Sequence, residues 1–176
     1  GVQFDQYDEN ANSGDSVGST FRIGWAGNID AHRENLEQLE SVLRSYGSSV
    51  SDTELVLIGT KNDSQLKQRF FSIDGIQSEF VDWIPAQEYS TEVPKIISTF
   101  DVGVMPLKDT FWNRGKSGLK LIEYMACGVP AVASPVGENQ NIIQPGHNGY
   151  LAEDDDEWIE AFSTVRNHDE IQTRSL

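Results

Sequence analysis

The chain has 176 residues, 38% of them apolar, and its 28 acidic against 13 basic residues give a formal charge of −15. That length and apolar content suit one domain with a buried core, while the acidic excess repels phosphate backbones and argues against nucleic acid as a partner. No apolar run approaches the ~20 residues of a membrane span, and with Cys127 alone and His32, His147 and His168 scattered there is no disulfide and no zinc-ligand spacing.

Residues 9–20 (ENANSGDSVGST) are polar and small, the composition of a flexible loop. The folded unit is therefore expected to start at Phe21 and run to residue 176. Residues 21–26 (FRIGWA) read as a strand ending in Gly27-Asn28. Leu36, Leu39, Val42 and Leu43 recur at helical spacing over 33–46, with Gly47 as the stop. Residues 54–58 (ELVLI) form a buried strand closed by Gly59. A helix over 64–71 has Asp63 or Ser64 as its cap. Residues 80–84 (FVDWI) read as a third strand, and 90–99 as a helix with Pro94 in its first turn. A fourth strand covers 102–105, a helix 117–126 and a fifth strand 130–133. Ile142-Ile143 and Tyr150-Leu151 flank a turn over 145–149. The last helix covers 156–165, with acidic residues 154–156 at its positive end.

Strands separated by helices predict right-handed βαβ units. The expected fold is therefore α/β: a doubly wound, mainly parallel sheet of about six strands with helices on both faces. Ligands of such sheets lie beyond the carboxyl ends of the strands. That rule singles out the loops at 27–32, 59–62, 83–88, 107–117 and 134–139.

The richest segment is 113–139, NRGKSGLKLIEYMACGVPAVASPVGEN. Arg114, Lys116 and Lys120 bring three cations to one expected helix start in an acidic chain. Gly115 and Gly118 let a ligand approach the backbone. A helix N-terminus adds unpaired N–H groups and partial positive charge. Together these suit a diphosphate, and the alternative is a solvated basic patch. Glu123 lies one turn beyond Lys120, where its carboxylate can accept from two ribose hydroxyls or pair with Lys120.

Residues 115–132, above all LKLIEYMACGVPAV, resemble glycosyltransferase family four, whose GT-B enzymes carry an E-x7-E motif before a small-residue turn and a buried strand. The resemblance implies that this is the C-terminal, Rossmann-like, donor-binding half of a GT-B fold. The second glutamate of the motif, which in the family holds the nucleotide ribose, falls on Glu123; the first falls on Gly115. Branches with a G-K-x-G-x-K version are closer, and there Lys116, Ser117 and Gly118 contact the diphosphate or the sugar. Gly24 to Asn28 looks like the first strand and glycine loop of the donor domain, with Gly27 and Asn28 near the diphosphate. Arg33 is a second phosphate cation or a surface residue. Trp83 flanks the base or belongs to the core. Gly137 and its neighbours border the sugar or ribose, with Glu138 exposed or beside them. Residues 1–5 resemble the tail of the family's interdomain linker, so 1–20 are read as linker and loop.

The implied function is donor binding in a retaining glycosyltransferase of hexosyltransferase type. The substrate is a UDP- or GDP-linked sugar, with no cofactor and no metal. Lys116 and Arg114 act on the leaving diphosphate; Gly27, Asn28, Arg33, Trp83, Ser117, Gly118, Lys120, Glu123 and Gly137 bind the donor. The partner is an absent N-terminal acceptor-binding domain, through which any membrane contact would run. The fragment alone is expected to be inactive and the full enzyme cytoplasmic or membrane-peripheral. The alternatives are the donor half of a nucleotide-sugar epimerase and a non-enzymatic α/β module such as a flavodoxin-like receiver. A dinucleotide oxidoreductase is disfavoured because G-W-A-G-N-I-D lacks the third glycine of G-x-G-x-x-G.

Overall fold

A computed structural model describes residues 20–167, so the expected linker over residues 1–19 lies outside the described residues, as does His168. Six strands form one sheet: β1 (Phe21–Ala26), β2 (Thr53–Ile58), β3 (Ile76–Val81), β4 (Val102–Met105), β5 (Ala131–Ala133) and β6 (Gly149–Leu151). Their order is β3-β2-β1-β4-β5-β6 and every pairing is parallel. This is the dinucleotide-fold order and not the 2-1-3-4-5 order of flavodoxin-like receivers.

Among the described residues seven α-helices connect the strands and an eighth follows β6: α1 (Arg33–Glu37), α2 (Leu39–Gly47), α3 (Ser64–Phe71), α4 (Ala86–Ile97), α5 (Phe111–Arg114), α6 (Leu119–Ala126), α7 (Asn139–Ile142) and α8 (Asp155–Asn167). Alternation along β1 sends Ile23 and Trp25 into a core with α1, α2, α3 and α8. The other face of the sheet packs on α4 and α6 through Val93, Ile97, Leu121 and Tyr124. Asp63 caps α3 by accepting from the Leu66 N–H at 3.0 Å, and Asp154 accepts from the Glu157 N–H ahead of α8 at 3.0 Å.

Several expected boundaries move. The single helix over 33–46 is divided at Gln38, which keeps a right-handed conformation (φ −69°, ψ −20°) and so preserves the direction of the chain. A 3-10 turn, Ile29–Ala31, precedes it. β3 lies earlier than 80–84, in register with β2 from Thr53–Ile76 to Ile58–Val81. It is an edge strand, so its polar residues Gln77 and Glu79 are tolerated, whereas the apolar Trp83 and Ile84 line a cavity instead. α4 starts at Ala86 after Pro85, which puts Pro94 inside the helix. The missing N–H there leaves the carbonyl of Ser90, on an exposed residue, to water. α6 starts at Leu119 because Gly118 is left-handed (φ +68°); a side chain at 118 would also meet Ile142 Cδ1 at 2.3 Å.

The feature that positions a site is where the sheet parts. β1 pairs with β2 along its whole length but with β4 only at Ile23–Val102 and Gly24–Gly103. Beyond Gly24 the two strands separate, and Tyr124 of α6 fills the opening. Its hydroxyl accepts from the Ala26 N–H and donates to the Val104 carbonyl, both at 3.2 Å. Glycine at 103 is required, since a Cβ there would sit 2.4 Å from the Tyr124 ring. At Gly24 a Cβ would lie 2.0 Å from the Phe100 ring. Tyr124→Phe leaves a buried donor and a buried acceptor unpaired. It should lower stability by about 1–3 kcal/mol, read as a lower urea midpoint at unchanged m-value.

Candidate functional site

At the carboxyl ends of β1 and β2, beside α6, lies a cavity of about 510 Å³. Gly27 and Asn28 after β1, Ile58 and Gly59 at the end of β2, Trp83 and Ile84 after β3, Ala86 and Tyr89 of α4, and Leu119, Lys120 and Glu123 of α6 line it. Each wall has a local cause. Asn28 accepts from the Asp30 N–H at 3.1 Å and so starts the 3-10 turn that carries the chain away. Gly59 has φ +88°, and a Cβ on it would lie 1.7 Å from the Gly27 carbonyl oxygen, so two glycine loops meet here. Trp83 is 59% exposed and is therefore a wall of the cavity, not a core residue. Lys61 Nζ stands 5.3 Å from its ring centre.

At one end of the cavity two cations converge on one acceptor. The Nζ atoms of Lys120 and Lys116 lie 3.1 and 3.3 Å from His32 Nε2. Lys116 also reaches the Ala31 carbonyl at 3.5 Å. Lys120 is threaded between the Trp25 ring, 5.7 Å from its ammonium, and Gly27, where a Cβ would stand 2.5 Å from Lys120 Cε. Burial first, then Lys120 and Lys116, hold His32 down to about 3, so its imidazole is neutral. Burial and then Lys116 lower Lys120 to about 8, against the opposing pull of Glu123. Burial also lowers Lys116.

One turn beyond Lys120 on α6, Glu123 accepts from the Tyr89 hydroxyl at 3.4 Å. Burial raises the Glu123 carboxyl, with Lys120 and the Tyr89 bond opposing. Burial, then Glu123, raises Tyr89. The cavity thus combines aromatic rings (Trp83, Tyr89), one carboxylate (Glu123) and a cationic end at Lys120. The N-terminus of α6 adds partial positive potential beside Lys120.

The loop carrying Lys116 is pinned from beneath. The buried Asn35 of α1 accepts from the Lys108 N–H at 3.0 Å and from Asn113 Nδ2 at 2.8 Å. Asn113 Nδ2 also donates to the Lys108 carbonyl at 2.9 Å. The Leu107 N–H donates to Ser134 Oγ at 3.0 Å, and Asn139 Nδ2 donates to the Ser134 carbonyl at 3.0 Å.

Of the residues expected from sequence, Gly27, Asn28, Trp83, Lys120 and Glu123 line the cavity and Lys116 stands at its cationic end. Arg114, which with Lys116 borders a second cavity of about 600 Å³, does not line this one. It ends α5, a helix separate from α6, and is bound through two nitrogens to Asp109 at 2.6 and 2.7 Å. Asp109 in turn raises the Arg114 guanidinium further. Arg33 is held by the carboxylate of Asp63, the cap of α3. Ser117 is exposed in the loop before α6, and Gly118 serves the turn. Gly137 is packing: a Cβ on it would meet the Arg114 carbonyl oxygen at 2.6 Å. Glu138 is exposed and accepts from Asn141 Nδ2 at 3.2 Å. His32 and Tyr89 were not anticipated. His32 falls in the loop after β1 that the topological rule singles out; Tyr89 carries no motif. Among the described residues no group of His, Cys, Asp and Glu could hold a metal, and no helix is long and apolar enough to cross a membrane.

Comparison with known proteins gives concordant findings. The family model described as Glycosyl transferases group 1 matches residues 20–168. S. aureus TarM, in a mutant form solved with fondaparinux, α-GlcNAc-glycerol and UDP, is similar at TM-score 0.62 and 15% identity over 93% of this chain and 32% of that one. Anabaena HepE, solved with UDP and glucose, is similar at TM-score 0.63 and 15% identity, over 90% of this chain and 42% of that one. The C-terminal domain of the Francisella tularensis group 1 glycosyl transferase LpcC is similar at TM-score 0.59 and 21% identity, over 84% of this chain and 79% of that one. At such identities the likeness is one of fold. The chain spans about a third of TarM. No curated protein matches.

The depressed Lys120 makes stability depend on pH. Between its folded value of about 8 and the ordinary lysine value near 10.5, the unfolded chain binds the extra proton, so the Lys120 contribution rises with pH. Denaturant unfolding of the wild-type domain should gain stability between pH 8 and 10 relative to Lys120→Met. Parallel pH profiles would show that the amine is freely solvated.

Proposed function

This chain belongs to the glycosyl transferases group 1 family, and from that premise we propose that it is the nucleotide-sugar-binding domain of a glycosyltransferase. The observation that carries this reading is the polarity of the cavity. A Trp83 face, a Glu123 carboxylate and the Lys120 ammonium share one cavity, and Lys116 joins Lys120 at His32. A nucleoside diphosphate carries groups to match: a base, a ribose and a diphosphate. TarM and HepE, similar in fold, are each solved with UDP.

Each group has an assigned task. Trp83 stacks on the base. Glu123, as carboxylate, accepts from the ribose hydroxyls. Gly27 and Gly59, which carry no side chains, let the ligand approach the backbone. Lys116 and Lys120, with the first amides of α6, stabilise the charge that develops on the diphosphate as the glycosyl bond breaks. Arg114, engaged by Asp109, is assigned no contact with the diphosphate. Ser117 and Gly118 stand next to Lys116 in sequence and are assigned to the sugar end. The donor is a UDP- or GDP-linked sugar, transferred to an acceptor hydroxyl with retention, without cofactor or metal. The acceptor is assigned to a separate N-terminal domain of the parent enzyme, cytoplasmic or peripheral to a membrane, and the present chain alone to binding without turnover.

Titration calorimetry with UDP and with GDP tests the assignment. One of the two should bind, and Glu123→Ala and Lys116→Ala should each weaken it about 10- to 100-fold, the worth of a charge-assisted hydrogen bond. Binding indifferent to both changes would refute the reading.

A further inference from the structure

Among the side chains at the cationic end, His32 has no task in the scheme above. It is 7% exposed, directly follows the 3-10 turn after β1, and meets the Trp25 ring edge-on at 5.7 Å between centres. Its Nε2 faces two ammonium groups at once. Ammonium groups only donate, so Nε2 presents its lone pair and the ring proton resides on Nδ1. Two lysines from opposite ends of the segment 116–120 would otherwise repel one another apart. A protonated imidazole would expel both.

We propose that His32 is a positioning residue for the donor diphosphate: as a neutral acceptor it gathers the Lys116 and Lys120 ammonium groups into a single clamp. This rests on the donor-binding reading of the same cavity. Bringing an anion to two cations already held together avoids the cost of ordering two long side chains on binding. It also couples binding to a proton. The groups facing His32 are Lys116 and Lys120, and the group facing Lys120 from within its own helix is Glu123. Crowding by Lys116, added to burial, leaves Lys120 at about 8 in the empty site. The diphosphate favours the protonated amine, so binding near pH 8 takes up a proton and weakens as pH rises through that value.

The test compares wild type, His32→Ala and His32→Gln, whose side-chain oxygen restores an acceptor. Each is titrated with UDP, GDP and inorganic pyrophosphate at pH 6.5 and 8.0, in buffers of differing ionisation enthalpy. His32→Ala should lose about tenfold in affinity for the nucleotide that binds and for pyrophosphate, a change on the scale of one hydrogen bond to a charged group. Its proton uptake at pH 8.0 should shrink because the lysines are free to part. His32→Gln should keep most of both. In wild type, nitrogen-15 NMR should show the imidazole neutral, with its proton on Nδ1, down to pH 4. Wild-type affinity and proton uptake in His32→Ala, a folded His32→Gln as weak as His32→Ala, or an imidazole titrating near 6.5 would each overturn the proposal. Such a result leaves donor binding intact, whereas wild-type protein that binds neither UDP nor GDP sinks the donor reading itself.

Discussion

The structure turns on the parting of β1 from β4. Two parallel strands that stop pairing must satisfy the backbone groups they release, or the opening would carry an unpaired buried donor and acceptor. The Tyr124 hydroxyl meets both needs at once, bonding the Ala26 N–H and the Val104 carbonyl. Because Tyr124 is rooted in α6, the same contact fixes that helix against the sheet. Lys120 and Glu123 ride on α6, one turn before and one residue before Tyr124, so the contact that fixes α6 also sets the side chains that face the cavity. Glycine at 103 follows from the same contact, because the tyrosine ring occupies the volume a side chain would need.

The second constraint is electrostatic. In a chain of charge −15, cations are most often spent on neighbouring carboxylates. Arg22 pairs with Glu54 and Glu79, Arg69 with Glu37 and Glu40, Arg114 with Asp109, and Arg33 with Asp63. Lys116 and Lys120 are different. Their nearest polar partner is a neutral imidazole, and burial leaves them short of water. Local positive potential therefore survives inside a negative surface, at the cavity that Lys120 lines. An acidic exterior combined with a cationic cleft disfavours polyanions such as nucleic acid, yet leaves a small phosphate ligand a defined place to settle.

The two ends of the cavity are built by different means. The aromatic and acidic end comes from elements that the chain order keeps apart: the loop after β3, α4 and α6. The cationic end comes from the loops after β1 and β4. These are locked together by the Asn35–Asn113 pair and by Ser134 beneath Leu107. Buried, mutually satisfied amides make that platform stiff, which matters because a phosphate clamp is only as good as the spacing of its cations.

Much of this was legible in the sequence. Alternating apolar runs and amphipathic segments determine a parallel α/β sheet, because strands buried on both faces need helices on both sides. The turn glycines at 27 and 59 and the caps at 63 and 154 mark element boundaries, since their roles are local. The run LKLIEYMACGVPAV carries the family resemblance without any coordinates. What tertiary structure alone decided is which side chains meet. Trp83 and Ile84 look like strand residues until the β2–β3 register shows that the strand ends at Val81. Arg114 and Lys116 are two apart in sequence, yet an intervening helix end sends one to Asp109 and the other to His32. His32 itself lies 84 residues from Lys116. No local pattern reports such a meeting, because hydrophobic periodicity encodes which face a residue takes and not what another segment, folded back across the sheet, places opposite it.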